Sequence, residues 1–297
     1  VEPVRARREW RFEFPVPERT PEHLIDIEHL TLGYGEHVVL KDVTLTIRSG
    51  DRVGVLGVNG AGKSTLIKAI AGTLEPMSGT LRRGQGLVIG YFAQHQLEQL
   101  DLESTPLEVF KHKAPTVREQ ELRDWLGRFR FSGDFADTKI RTFSGGEKAR
   151  LALALIAWDK PNLLVLDEPT NHLDMATREA LTMALSQFEG ALLLVSHDRH
   201  LLRSTCDSLI LVHDGSCGAY DGDLDDYAAL VLEHRKSVLE ADRQSRAVPQ
   251  AEPQVNRREE RRQAAQERAQ KAALKKPLLK KLADLEKRTI SDRKSVV

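Results

Sequence analysis

The chain has 297 residues, 40% hydrophobic and 30% charged, enough for one large domain or two ordinary ones. No stretch approaches the roughly 18 consecutive apolar residues of a membrane-spanning helix, and the longest apolar candidate runs only from Leu151 to Trp158. Two cysteines, Cys206 and Cys217, give neither a disulfide framework nor metal-ligand spacing, and arginines interrupt any apolar run at the N-terminus, so the expected setting is cytoplasmic.

The net charge of zero hides an asymmetry. From Glu233 onward there are 18 Lys/Arg against 10 Asp/Glu, so a tail of net +8 follows a body of net −8. A basic tail suits a polyanionic or acidic partner, or simply a solvated helical face.

In chain order, residues 1–22 read as the end of an interdomain linker. There is no initiator Met, and the stretch from Trp10 to Pro17 alternates like a strand until prolines stop it, so the chain reads as a fragment. From Leu24 the pattern is β-rich: Leu24 to Leu32, Val38 to Leu40, then Val43 to Ile47. Between the first two lies Gly33-Tyr34-Gly35, an aromatic that either packs or stacks on a planar base.

Gly57-Val-Asn59-Gly60-Ala-Gly62-Lys63-Ser64-Thr65 fits G-x-x-x-x-G-K-[ST]. A short apolar strand precedes it, and a helix ended by Gly72 follows. A glycine loop at a helix N-terminus turns backbone N–H groups toward an anion. Lys63 suits the β- and γ-phosphates of a nucleotide, and the Ser64 hydroxyl suits Mg²⁺.

Gly79 to Phe92 reads as a hairpin or strand pair leading to Gln94, a side chain able to ligate Mg²⁺ or hold water. Leu97 to Thr138 reads as a helical insertion, with Pro106 and Pro115 as breakers. Ser144-Gly145-Gly146-Glu147-Lys148 then opens an apolar helix, Ala149 to Trp158. It is either a second anion-binding N-terminus or an ordinary cap.

Leu163 to Leu166 is a continuous apolar run, as expected of a parallel strand buried on both faces. It delivers Asp167 and Glu168 at its carboxyl end, where ligands bind in open α/β sheets. Asp167 suits a Mg²⁺ shell and Glu168 an attacking water. A helix from Thr177 to Phe188 and a second buried strand, Ala191 to Val195, lead to His197, which suits a γ-phosphate. Asp221 to Asp226 is acid-rich, but without the twelfth-position Glu of a Ca²⁺ loop it reads as a helix N-terminus. Residues 233–256 read as a flexible linker and 257–297 as a basic helical tail, truncated at its end, with Leu278, Leu282 and Leu285 marking a coiled-coil-like seam.

In this order and spacing the motifs resemble the ATP-binding-cassette (ABC) nucleotide-binding domain. It is an α/β P-loop fold with a mixed sheet core, a β-rich edge subdomain and a helical signature subdomain, here spanning about residues 97–160 within a cassette at 23–232. By that resemblance Tyr34 stacks on adenine, Gly57 to Thr65 is Walker A, and Gln94 is the Q-loop residue. Ser144 to Lys148 looks like the signature, with Ser144 to Glu147 as its nucleotide contacts, Leu163 to Glu168 like Walker B, Leu173-Asp174 like the D-loop, and His197 like the switch histidine. Ser144-Gly-Gly-Glu-Lys148-Ala-Arg150 and Glu168-Pro-Thr-Asn-His-Leu-Asp174 are similar to the ABC-F family, and the entry segment Phe12 to Pro17, the run Tyr91 to Glu98 and the basic C-terminal helices look most like the second, C-terminal cassette of its YheS-type members. The family resemblance implies a soluble Mg²⁺-dependent ATPase acting on ribosomes, with rRNA and possibly tRNA as partners and no membrane. It also implies that the signature contacts ATP held on a second cassette, upstream in the full-length chain or in a head-to-tail homodimer. An ATPase subunit of an ABC membrane transporter and a non-hydrolytic interaction module are the alternative readings.

Overall fold

The computed structural model describes residues 11–93, 100–171 and 173–232. Two units make up the chain, Val1–Val231 and Leu232–Val297, and the numbered strands and helices below belong to the first. Strands β1 (His23–Tyr34), β2 (His37–Arg48), β3 (Arg52–Leu56), β4 (Ser78–Arg83), β5 (Ile89–Phe92), β6 (Leu163–Asp167), β7 (Ala191–Val195), β8 (Ser208–His213) and β9 (Ser216–Ala219) form two sheets. The helices are α1 (Lys63–Ala71), α2 (Pro106–Lys113), α3 (Glu119–Arg128), α4 (Gly145–Trp158), α5 (Met175–Gln187) and α6 (Arg199–Thr205). A further helix, 224–232, ends the described residues.

The smaller sheet is antiparallel, in the order β2-β1-β4. The two short strands expected at Val38 to Leu40 and Val43 to Ile47 are one strand, β2. The polar interruption at Asp42 is a bulge with left-handed backbone (φ 57°), opposite a similar distortion at His29 (φ 51°). The two side chains meet there, Nδ1 to Oδ1, at 2.7 Å. Nor is Gly79 to Phe92 a hairpin. Its two strands enter different sheets, β4 pairing with β1 and β5 with β6.

The larger sheet has the order β5-β6-β7-β3-β8-β9. Its first five strands are parallel; only β9 returns, through an Asp214-Gly215 turn whose φ angles (47° and 74°) suit a tight hairpin. Side-chain alternation explains the continuous apolar runs. Leu164, Leu166, Leu192 and Leu194 join one buried cluster, while Leu163, Val165, Ala191, Leu193 and Val195 join another on the opposite face.

The described part of the expected helical insertion carries α2 and α3, with one correction. Pro106 does not break a helix but occupies the first turn of α2, where its missing N–H is no loss. Thr105 and Glu108 close a capping box around it, at 3.2 Å and 2.8 Å. Ahead of β1, Phe12 and Phe14 are buried, their rings 5.1 Å from Phe129 and 5.6 Å from Phe188 between centroids. The acid-rich Asp221 to Asp226 does open a helix: Asp223 accepts from the N–H groups of Asp225 (2.7 Å) and Asp226 (2.8 Å). Because β7 lies between β6 and β3, the carboxyl ends of these three strands are neighbours.

Candidate functional site

The loop after β3 is shaped by positions only glycine tolerates. At Gly57 (φ 152°) a Cβ would lie 2.5 Å from the Val212 carbonyl oxygen. At Gly62 (φ 109°) it would press within 2.9–3.0 Å of Leu40 and Val39. Gly62 is also the N-cap of α1 and offers no side-chain cap, so the first-turn N–H groups face the loop without a competing side chain. Lys63 folds back over this loop, donating to the carbonyls of Gly57 (2.7 Å) and Val58 (3.0 Å). Burial lowers its pKa, opposed by the carboxylates of Glu168 and Asp167.

Glu168, one residue beyond β6, has left-handed backbone (φ 51°), held by its N–H donating to the Val195 carbonyl at 2.9 Å. Such a conformation costs a non-glycine residue about 1–3 kcal/mol and concentrates at functional sites. Its Oε2 accepts from the His197 backbone N–H at 3.4 Å. Its Oε1 is buried with no hydrogen-bond partner, and His197 Nε2 lies 3.6 Å away. Burial raises the Glu168 pKa; His197 works against the shift and Asp167 adds to it. The other neighbour of His197 Nε2 is Asn59 Oδ1, at 3.2 Å. Strand order thus converts three distant segments into one wall.

Asn59, Gly60, Gly62, Lys63, Ser64, Thr65, Asp167, Glu168 and His197 all line one cleft of about 360 Å³. Val39 and Val195 line it too, apolar positions that no local pattern in the sequence separates from the core. Tyr34 does not line it. It sits half exposed at the end of β1, with Lys68 Nζ 6.0 Å from its ring centroid. Ser144 to Glu147 also lie outside the cleft lining, at the start of α4. There Ser144 Oγ accepts from the Glu147 N–H (3.3 Å), and the Glu147 carboxylate accepts from the Ser144 N–H (2.7 Å) and hydroxyl (2.9 Å). That is a complete capping box. Gln94 lies outside the described residues. The sequence offered no hint of Tyr227, whose hydroxyl accepts a hydrogen bond from the Gly57 N–H at 3.0 Å across 170 positions.

Comparison with known proteins agrees with this geometry. The family profile described as "ABC transporter" matches residues 40–171. "Probable ATP-binding protein YheS" of Escherichia coli K12 is 51% identical over 242 residues, covering 82% of this chain and 38% of that protein. "ATP-binding cassette sub-family F member 3" of mouse is 38% identical over 235 residues, covering 78% of this chain and 33% of that protein. The chain therefore spans less than two-fifths of the length of these relatives. Among solved structures, the dimeric ATP-binding cassette MJ0796, bound to ADP and Pi, is similar with a TM-score of 0.56 at 25% identity, covering 67% of this chain and all of that one. No helix among the described residues is long and apolar enough to cross a membrane. By fold, by the loop and strand ends that meet in the cleft, and by its relatives, the chain carries an ABC cassette, similar to those of YheS and of the F sub-family.

Proposed function

We propose that the cleft at the ends of β3, β6 and β7 binds the phosphates of ATP with Mg²⁺, and that Glu168 is the general base for its hydrolysis. The observation that carries this reading is the buried Glu168 Oε1, free of hydrogen bonds and 3.6 Å from His197 Nε2 in the same cleft as Lys63. The Oε1 oxygen has no donor to satisfy it, and burial raises the pKa of the carboxyl group, so both favour proton capture there.

Hydrolysis of a phosphoanhydride asks the protein to neutralise developing charge and to align one water with the γ-phosphorus. Lys63 supplies positive charge once its ammonium leaves the loop carbonyls for phosphate oxygens. The N–H groups opening α1 supply partial charge. His197, held from one side by Asn59, donates toward the γ-phosphate, and Glu168 takes the proton of the attacking water. Ser64 and Asp167, one hydroxyl and one carboxylate in the same cleft, fit Mg²⁺, which takes few protein ligands and completes its shell with phosphate oxygens and water. The ion would spread charge over the phosphates. Gln94 and Tyr34 enter this reading through family resemblance, as Mg²⁺ or γ-phosphate sensor and adenine platform.

The signature residues Ser144 to Glu147 lie outside this cleft lining, which suits a composite site closed by a second cassette. In the full-length protein that cassette would lie upstream, and ATP would draw the two together until hydrolysis released them. A cytoplasmic, ribosome-associated role enters through the family resemblance, and the net +8 of residues 233–297 suits rRNA or tRNA. Two experiments test the proposal. Glu168→Gln should retain labelled ATP while phosphate release falls by about 10²–10⁴-fold; undiminished release would refute the base assignment. Binding of the chain to ribosomes should weaken steeply with salt and vanish when residues 240–297 are removed; binding indifferent to that deletion would refute the tail's role.

A further inference from the structure

We infer that Tyr227 is a positioning residue of the phosphate loop, holding Gly57 so that Lys63 and the α1 N-terminus keep their spacing. The inference rests on the ATP-binding reading of the cleft. Gly57 is fixed through both of its backbone polar groups, and in each case by a side chain. Its N–H donates to Tyr227 Oη at 3.0 Å, and its carbonyl accepts from Lys63 Nζ at 2.7 Å. Tyr227, Gly57 and Lys63 therefore form one hydrogen-bonded chain ending at the ammonium that faces the cleft.

The support for Tyr227 is itself anchored. Leu224 on the same helix is buried in the core, and the Tyr220 ring meets Tyr227 edge-on at 6.3 Å. Asp225 binds Arg199 and Arg203 of α6, the helix that begins two residues after His197. Helix 224–232 thus touches the site from two sides, through the start of the phosphate loop and through the helix behind His197. Phenol suits this role because its hydroxyl sits on a rigid ring that needs only two torsions to place it. A side chain at position 57 could not do this fixing instead, since a Cβ there would lie 2.5 Å from the Val212 carbonyl oxygen.

Tyr227→Phe keeps the ring and removes the acceptor, leaving the Gly57 N–H unpaired. ATP affinity of the 297-residue chain, measured with a fluorescent ATP analogue, should fall about fivefold, the worth of one hydrogen bond. In turnover assays the loss should appear in KM, with kcat changed less than twofold, since Glu168 and His197 are untouched. Tyr227→His, which can present a ring nitrogen as acceptor, should recover part of the affinity. A purely structural tyrosine would lower the melting temperature in Tyr227→Phe with ATP affinity unchanged, and that result would overturn the inference while leaving the ATP-binding reading intact. A parent protein that binds no ATP would instead overturn the reading itself.

Discussion

The two glycine-rich helix starts of this molecule, Gly57 to Ser64 and Ser144 to Lys148, look alike as sequence and differ as structure. Both turn backbone N–H groups outward from a helix N-terminus. At α4 the local polar groups satisfy one another, Ser144 and Glu147 closing a reciprocal cap. At α1 they do not: Gly62 caps nothing with a side chain, Lys63 is stretched over loop carbonyls, and Glu168 opposite holds a buried oxygen without a donor. The difference separates a helix start closed by its own side chains from one left without a side-chain cap and facing the cleft. Of the two, the α1 start is the one that lines the cleft with carboxylates and an imidazole.

The sharpest way to break this contrast is to remove the cation. Lys63→Ala should weaken ATP binding by roughly 10- to 100-fold, the scale of a charge-assisted hydrogen bond. Equilibrium binding checks it, and affinity within twofold of the parent would mean the cup is not the phosphate site. A smaller effect is expected at the other helix. Ser144→Ala removes an N-cap worth about 1 kcal/mol, which lowers the melting temperature of a domain this size by about 2–4 °C. ATP binding by the dilute chain should be unaffected. A drop in that affinity would place the signature of the same molecule against its own nucleotide.

The pH behaviour of Glu168 sharpens the same comparison. Its folded pKa is raised by burial, so the folded state keeps the proton to higher pH than the unfolded chain does. The group's contribution is therefore favourable in acid and is lost as pH rises through the folded value. Glu168→Gln should melt above the parent at pH 8, and the gap should close as pH falls below the ordinary carboxylate value of 4.5. Thermal melts across that range test it; a pH-independent difference would contradict the assignment. Because a base must be ionised to act, the acid limb of kcat should also lie above the usual carboxylate range.

Much of this was legible because the chemistry is carried by short motifs at strand ends. The phosphate loop, Asp167-Glu168 and His197 each follow an apolar run, and the continuous character of Leu163 to Leu166 and Ala191 to Val195 announced parallel strands buried on both faces. What stayed hidden depends on pairings between distant segments. Nothing local distinguishes the bulge at Asp42 from a loop, since the left-handed φ there is stabilised by His29, thirteen residues away. Nothing in Gly79 to Phe92 says that its strands part company between two sheets. Pro106 reads as a breaker until Thr105 and Glu108 are seen to cap the helix it starts. The same limit applies to the site: Tyr227 and Gly57 meet only because helix 224–232 returns to the loop after β3.

The central claim is that the cup and the signature belong to different halves of a composite ATP site. Mixing two inactive variants tests it most directly: Lys63→Ala, with a ruined cup and an intact signature, and Ser144→Arg, with an intact cup and a blocked signature. If the site is composite, the parent's specific activity rises with protein concentration, and the mixture recovers turnover that neither variant shows alone. Parent turnover independent of concentration, with no recovery on mixing, would contradict it.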